Sequence, residues 1–174
     1  MRRLRYGVAM SLDGFIAGPS GEYDWIVADS AIDYVSIHMQ FDLCIMGRRT
    51  YEVARSRRAS MEGSGQRWVV VSRTLKPEEH ADVTILGEDV LQAVADLKEQ
   101  PGKDIWLMGG GVLFRSLLDA GLVDGMDLAV MPVMLGGGTP LLAEGRRQWL
   151  HLEQSKALPS GILMLSYSVR GSSA

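Results

Sequence analysis

The 174-residue chain has one cysteine, Cys44, and only three histidines, scattered along it. A lone thiol cannot close an intramolecular disulfide and no metal-ligand spacing is present, so disulfide scaffolds and structural zinc sites are excluded. No apolar run reaches the roughly 18 residues that a membrane helix needs, and the opening MRRLRYGVAM lacks the longer apolar stretch of a secretory signal. The expectation is a soluble, cytoplasmic protein with no membrane partner. Net basicity is missing too: at a net charge of -3, nothing marks the chain as a dedicated nucleic-acid binder. What is there is ordinary for a folded protein, with 47% hydrophobic and 22% charged residues, which excludes disorder. The length suits one domain, expected over 1–174.

Short apolar runs bounded by polar residues or glycine predict strands at 4–10, 42–46, 68–72, 82–86, 104–108 and 126–135. Helices are expected at 29–40, with Ile32, Val35 and Met39 near helical spacing behind Asp29 or Ser30 as caps, at 88–99 and at 112–120. The stretch 150–169 reads as two strands around Pro159, Ser160 and Gly161. Strands alternating with helices imply a mostly parallel sheet with helices on both faces, and ligands in such sheets bind at the carboxyl ends of the strands.

Four of those ends carry suitable residues. Met46-Gly47-Arg48-Arg49-Thr50 places a glycine, two cations and a hydroxyl where a helix begins, and free backbone N–H groups there favour phosphate. Met108-Gly109-Gly110-Gly111 lets backbone approach a ligand closely, although Phe114 stands where the dinucleotide fingerprint G-x-G-x-x-G needs glycine. Ser72-Arg73 and Leu86-Gly87 end two more strands. Gly136-Gly137-Gly138 reads as a flexible turn. Between Arg48 and Arg73 seven arginines face two glutamates, which makes this segment either a solvated surface or an anion site.

These residues, taken in order, resemble the dihydrofolate reductase-like family, and within it the C-terminal reductase domain of the bifunctional riboflavin-biosynthesis deaminase-reductase. The likeness runs through Asp13-Gly14-Phe15-Ile16-Ala17 after the first strand, Gly21-Glu22-x-x-Trp25-Ile26, Met46 to Glu52, Ser72-Arg73, the glycines 109–111, Gly121-Leu122-Val123-Asp124 and Pro132-Val133-Met134-Leu135-Gly136. The resemblance implies a three-layer α/β fold with a mostly parallel sheet and a C-terminal antiparallel hairpin. It also implies an NADPH-dependent reductase that transfers hydride to a small pteridine- or pyrimidine-like heterocycle, with 5-amino-6-(5-phosphoribosylamino)uracil among the candidates, in a homodimer to which Met126, Met131 and Met134 could add contacts.

By the same resemblance Arg48 and Arg73 would face the 2′-phosphate, with Ser72 beside the adenosine. Gly47, Arg49 and Thr50 would hold the pyrophosphate, with Met108, Gly109, Gly110, Gly111 and Val112 opposite and Leu86 and Gly87 alongside. Ala9, Ile16 and Ala17 would line the nicotinamide pocket under a lid formed by 11–25. Asp13, Phe15, Trp25 and Val27 would face the substrate, Trp25 either as a pocket wall or as a core aromatic. Phe15, Val27 and Met108 stand where the riboflavin reductases have polar residues, which implies a less polar or smaller substrate. The carboxylate that dihydrofolate reductases carry on the first helix falls at Ala31 or Ser30 by spacing, leaving Asp29 and Asp33 as the candidate proton donors, Asp29 being readable equally as a helix cap. Two other readings use the same residues: an NADPH-binding module without turnover, and an interaction protein using the arginine-rich segment.

Overall fold

The computed structural model describes residues 1–56 and 65–170. The arginine-rich segment is therefore described only in part, and Arg57 and Arg58 lie outside it. The order of elements is β1 (Leu4–Ser11), β2 (Phe15–Ala17), α1 (Tyr34–His38), β3 (Phe41–Gly47), α2 (Arg48–Ser56), β4 (Arg67–Val71), β5 (Thr84–Leu86), α3 (Val90–Glu99), β6 (Asp104–Gly109), α4 (Gly111–Asp119), β7 (Gly125–Met131), β8 (Thr139–Pro140), β9 (Leu150–Ala157) and β10 (Leu163–Val169). Eight strands form one sheet in the order β5-β4-β3-β6-β1-β7-β10-β9. It is parallel from β5 to β7, and β10 runs antiparallel to both β7 and β9.

The near-continuous apolar run of β3 reflects burial on both faces. Leu43 and Ile45 pack with Val94 of α3 and Phe114 and Leu117 of α4, whereas Cys44 and Met46 pack with Tyr51 and Ala54 of α2. Tyr6 stacks on Phe114 with ring centroids 3.9 Å apart. A third cluster gathers Met131, Leu158 and Ile162 with Ala9, Trp25, Ile32 and Met164, where the long loop after β2 folds back over β1, β7 and β10.

Three expectations are corrected. The helix expected over 29–40 is the single turn and a half of α1, with Asp33 as its cap, accepting the Ser36 N–H at 2.9 Å. Tyr, Val, Ser, Ile and His are weak helix formers, and α1 buries none of its residues. Val35 and Met39 are 69% and 64% exposed, so their helical spacing marks no core stripe. The strand expected to run to 135 stops at Met131, because Pro132 has no N–H to give the ladder. Finally, 136–138 is more than a flexible turn. Gly138 has φ +138 and a Cβ there would overlap the Ala17 carbonyl oxygen, so β8 can pair with β2 only with glycine at this position.

Candidate functional site

At the carboxyl end of the sheet the loops after β3, β4, β5 and β6 meet. Gly47 leads straight into α2, whose first N–H groups and Thr50 hydroxyl face the β6–α4 turn. A Cβ on Gly47 would lie 3.8 Å from the Gly110 nitrogen, and one on Gly109 3.4 Å from Thr50 Oγ1. Arg48 lies between two partners, with Nε donating to Glu52 Oε1 at 2.7 Å and Nη1 to Thr74 Oγ1 at 2.9 Å. Ser72 Oγ accepts the N–H groups of Thr74 and Leu75 and so builds the turn that projects Arg73, while the Ser72 N–H donates to the Leu86 carbonyl at 2.9 Å. Ser72, Arg73, Leu75, Ile85, Gly87 and Glu88 surround a hollow of about 250 Å³. Of the positions expected to hold a dinucleotide, Gly47, Thr50, Gly109 and Gly110 come together, Ser72, Arg73 and Gly87 gather at the neighbouring hollow, and the Arg48 bond to Thr74 links the two groups; Leu86 and Met108 pack against the core instead, and Val112 is 76% exposed.

Ile16 and Ala17 reach the same end by another route. Their strand pairs with Thr139 and Pro140, and the Pro140 carbonyl oxygen would sit 2.9 Å from a Cβ on Gly111. The β2–β8 ribbon therefore leans against the glycine turn. Asp13 secures it: its carboxylate accepts from Ser11 Oγ at 2.6 Å and from the backbone N–H groups of Leu135 and Gly136. These bonds give Asp13 a role in joining two loops, away from the cleft.

Beside this end, a cleft of about 900 Å³ lies between α1 and the sheet, within the size range of small-molecule pockets. Gly7 and Ala9 of β1, Ala129 and Met131 of β7 and Met164 of β10 line its inner part, with Ile26, Ala31 and Ile32 opposite. At the far end stand Arg5, Gln40, Phe41 and Asp127. Small residues on β1 keep the floor low. Trp106 donates its indole N–H to the Gly7 carbonyl at 3.0 Å, and a Cβ on Gly7 would collide with that ring. Arg5 lies over the Phe41 ring, 5.0 Å from its centroid, and pairs with Asp127. His38 sits against Trp106, and burial lowers its pKa, so its ring is neutral at pH 7.

Among the substrate positions expected from the sequence, Trp25 packs in the cluster containing Ala9, its indole N–H donating to the Glu22 carbonyl at 3.1 Å. Phe15 is in the β2–β8 ribbon, and Val27 is 47% exposed; neither lines the cleft, although Ile26 does. Asp29 lies outside the cleft as well. It accepts the Ala31 N–H at 2.7 Å, and hydrogen bonds from Ser160 and Ala31 hold its carboxyl below the usual range, the wrong direction for a proton donor at neutral pH. Nor is it the helix cap, which is Asp33. The sequence reading missed Arg5, Asp127, Glu153, Ser166 and Lys156, which come from four strands. The one available signal was Asp127, a charge within the apolar MDLAVM run. Among the described residues no group of histidine, cysteine, aspartate and glutamate could hold a metal, and no helix is long and apolar enough to cross a membrane.

Comparison with known proteins agrees with this architecture. The "Uncharacterized protein YyaP" of Bacillus subtilis is 30% identical over 98% of this chain and 96% of its own length. A Shewanella sp. PV-4 protein named for riboflavin biosynthesis superposes with a TM-score of 0.83 at 25% identity, covering 97% of this chain and 99% of that one. The Thermotoga maritima diaminohydroxyphosphoribosylaminopyrimidine deaminase/5-amino-6-(5-phosphoribosylamino)uracil reductase has the same fold at 14% identity and a TM-score of 0.74, covering 97% of this chain and 57% of that longer one. The RibD C-terminal domain model matches residues 2–164, and the chain therefore belongs to the RibD C-terminal domain family.

Proposed function

We infer that this protein is an NADPH-dependent reductase of a small heterocycle, pyrimidine-like in the first instance, working as a homodimer. The observation that carries the reading is that the cleft is floored by β1, the strand beside β6, whose end at Gly109 faces Thr50 and Gly47 in the group of strand-end loops. Family membership supports it, as does the reductase named in the Thermotoga relative.

The residues present suit the cofactor. The first N–H groups of α2 and the Thr50 hydroxyl would hold the pyrophosphate, and Arg48 and Arg73 the 2′-phosphate. Bound there, the nicotinamide would supply hydride. The β2–β8 ribbon would shield the transfer from water, and the small side chains of Gly7 and Ala9 would let a flat ring lie close to the sheet. With Asp29 outside the cleft, and with Asp33, which lines it, held below the usual carboxylate range by the hydrogen bonds from Ser36, the proton that accompanies hydride would reach the substrate from solvent.

The test is a thermal-shift titration with NADPH followed by a search for substrate-dependent loss of its near-ultraviolet absorbance. A ligand at a hundred times its dissociation constant adds about 2.7 kcal/mol of stability. A shift with no turnover across pterins, pyrimidines and quinones would leave a binding module. No shift at all would leave the arginine-rich segment as a surface for an acidic partner.

A further inference from the structure

The cleft beneath α1 is longer than a single heterocycle, and its charge is one-sided. Building on the reductase reading, we propose that the substrate is an unphosphorylated heterocycle carrying neutral, hydroxyl-bearing substituents, and that the cleft discriminates against its phosphate ester.

From Ala9 back to Arg5, β1 covers about 13 Å at the usual rise of a strand. A ring docked beside Ala9 therefore leaves space for a substituent directed toward Arg5. A phosphate at that depth needs cations with donors to spare. Two cations line the cleft, Arg5 and Lys156, against three carboxylates, Asp33, Asp127 and Glu153. Arg5 is already engaged. Its Nε and Nη2 lie 2.9 and 2.8 Å from Asp127 Oδ2, and its Nη1 donates to Gln40 Oε1 at 2.7 Å and lies 3.4 Å from Asp104 Oδ2.

Lys156 stands on the exposed edge strand β9, close enough to Asp29 for its charge to help hold that carboxyl down. Among the described residues Glu153 has no cation partner: it accepts from Ser168 Oγ at 2.6 Å, and it borders the cleft from β9. A dianion entering here would meet Glu153 with Lys156 as the one lining cation among the described residues not already engaged, short of the several donors a phosphate needs, and like charges brought together at a binding surface select against a partner. Neutral hydroxyls meet a different surface. Ser155, Gln154 and Ser166 line the same wall, and Ser166 Oγ donates to Asp127 Oδ1 at 2.7 Å, leaving its oxygen able to accept from a ligand.

The experiment uses matched pairs: 5-amino-6-(ribosylamino)uracil with its 5′-phosphate, and uridine with its 5′-monophosphate. Each is titrated calorimetrically against the full chain, with and without saturating NADPH. In at least one pair the phosphate-free member is expected to bind about tenfold tighter or better, which is about 1.4 kcal/mol. Glu153→Lys should narrow the gap about threefold and Glu153→Gln by less, as expected for a charge effect; the side chain is exposed on an edge strand, so both variants should fold. Equal or tighter binding of the phosphate esters overturns the proposal, as does failure of both pairs to bind or a gap untouched by Glu153→Lys. Absence of NADPH binding, with the gap intact on the cofactor-free chain, would count against the reductase reading alone.

Discussion

Asp13 accepts the Gly136 N–H through Oδ2 at 2.7 Å, so that a single carboxylate joins the loop leaving β1 to the loop leaving β7. The hydrogen bond from Ser11, helped by those from Gly136 and Leu135, lowers its pKa to about 2. The folded value lies below the unfolded one of about 3.9, so the stabilisation is complete above that value and disappears as pH falls through about 2. Asp13→Asn should melt at a lower temperature than wild type at pH 7, and the difference should close between about pH 4 and about pH 2. Scanning calorimetry across that range decides it: a difference constant with pH would mean that the charge of Asp13 does not hold the loops.

Cofactor choice should depend on Arg48 and Arg73. Charge-assisted hydrogen bonds from guanidinium to phosphate are worth about 1.5–3 kcal/mol each. In the Arg48→Ala, Arg73→Ala double variant the NADPH dissociation constant should rise at least about tenfold while that for NADH changes little, and high salt should weaken the wild-type preference in the same direction. Fluorescence titration with both cofactors measures it. Equal losses would assign the arginines to the shared pyrophosphate or to the fold.

Asp29 provides a test of proton supply. A positioned general acid contributes about 10²–10⁴-fold to a rate, whereas Asp29→Asn should change kcat by less than about threefold and leave the pH profile in place. A loss of a hundredfold, with the acidic limb of the profile removed, would restore Asp29 as the donor.

Assembly can be read from light scattering at micromolar concentration. Met126 and Met131 are 6% and 2% exposed and belong to the core, so the methionines expected at an interface reduce to Met134. The β9 edge offers more, since Trp149 and Leu152 are 69% and 46% exposed at a strand that pairs with β10 on one side and ends the sheet on the other. A dimer mass is expected, and Trp149→Lys should shift it toward monomer. A monomer in the wild type would reject the assignment.

The sheet was legible because its parallel strands show as short apolar runs, most plainly at β3, which is buried on both faces. The loops at the strand ends were legible because each places its residues consecutively: Gly47, Arg48, Arg49 and Thr50 are neighbours in sequence as well as in space. The cleft was not, since its floor takes alternate residues from strands that pair only after folding; Gly7 and Asp127 are 120 positions apart yet directly opposed in the β1–β7 ladder. The first helix was over-read for a related reason. Spacing reports which residues share a face, and only packing shows whether that face is covered, as Val35 and Met39 illustrate.

The order of strands in the sheet has a further consequence. The loops proposed to hold the nucleotide leave β3, β4, β5 and β6, all encoded between residues 41 and 111, whereas β7, β9 and β10, which supply most of the cleft floor, are encoded after residue 124. Within the sheet the two groups are joined through β1, which lies between β6 and β7. One half of the gene can therefore drift toward new chemistry while the other keeps its redox currency, and a chimera exchanging 125–170 between two relatives would inherit its appetite for substrate from the tail and its choice of electron source from the middle.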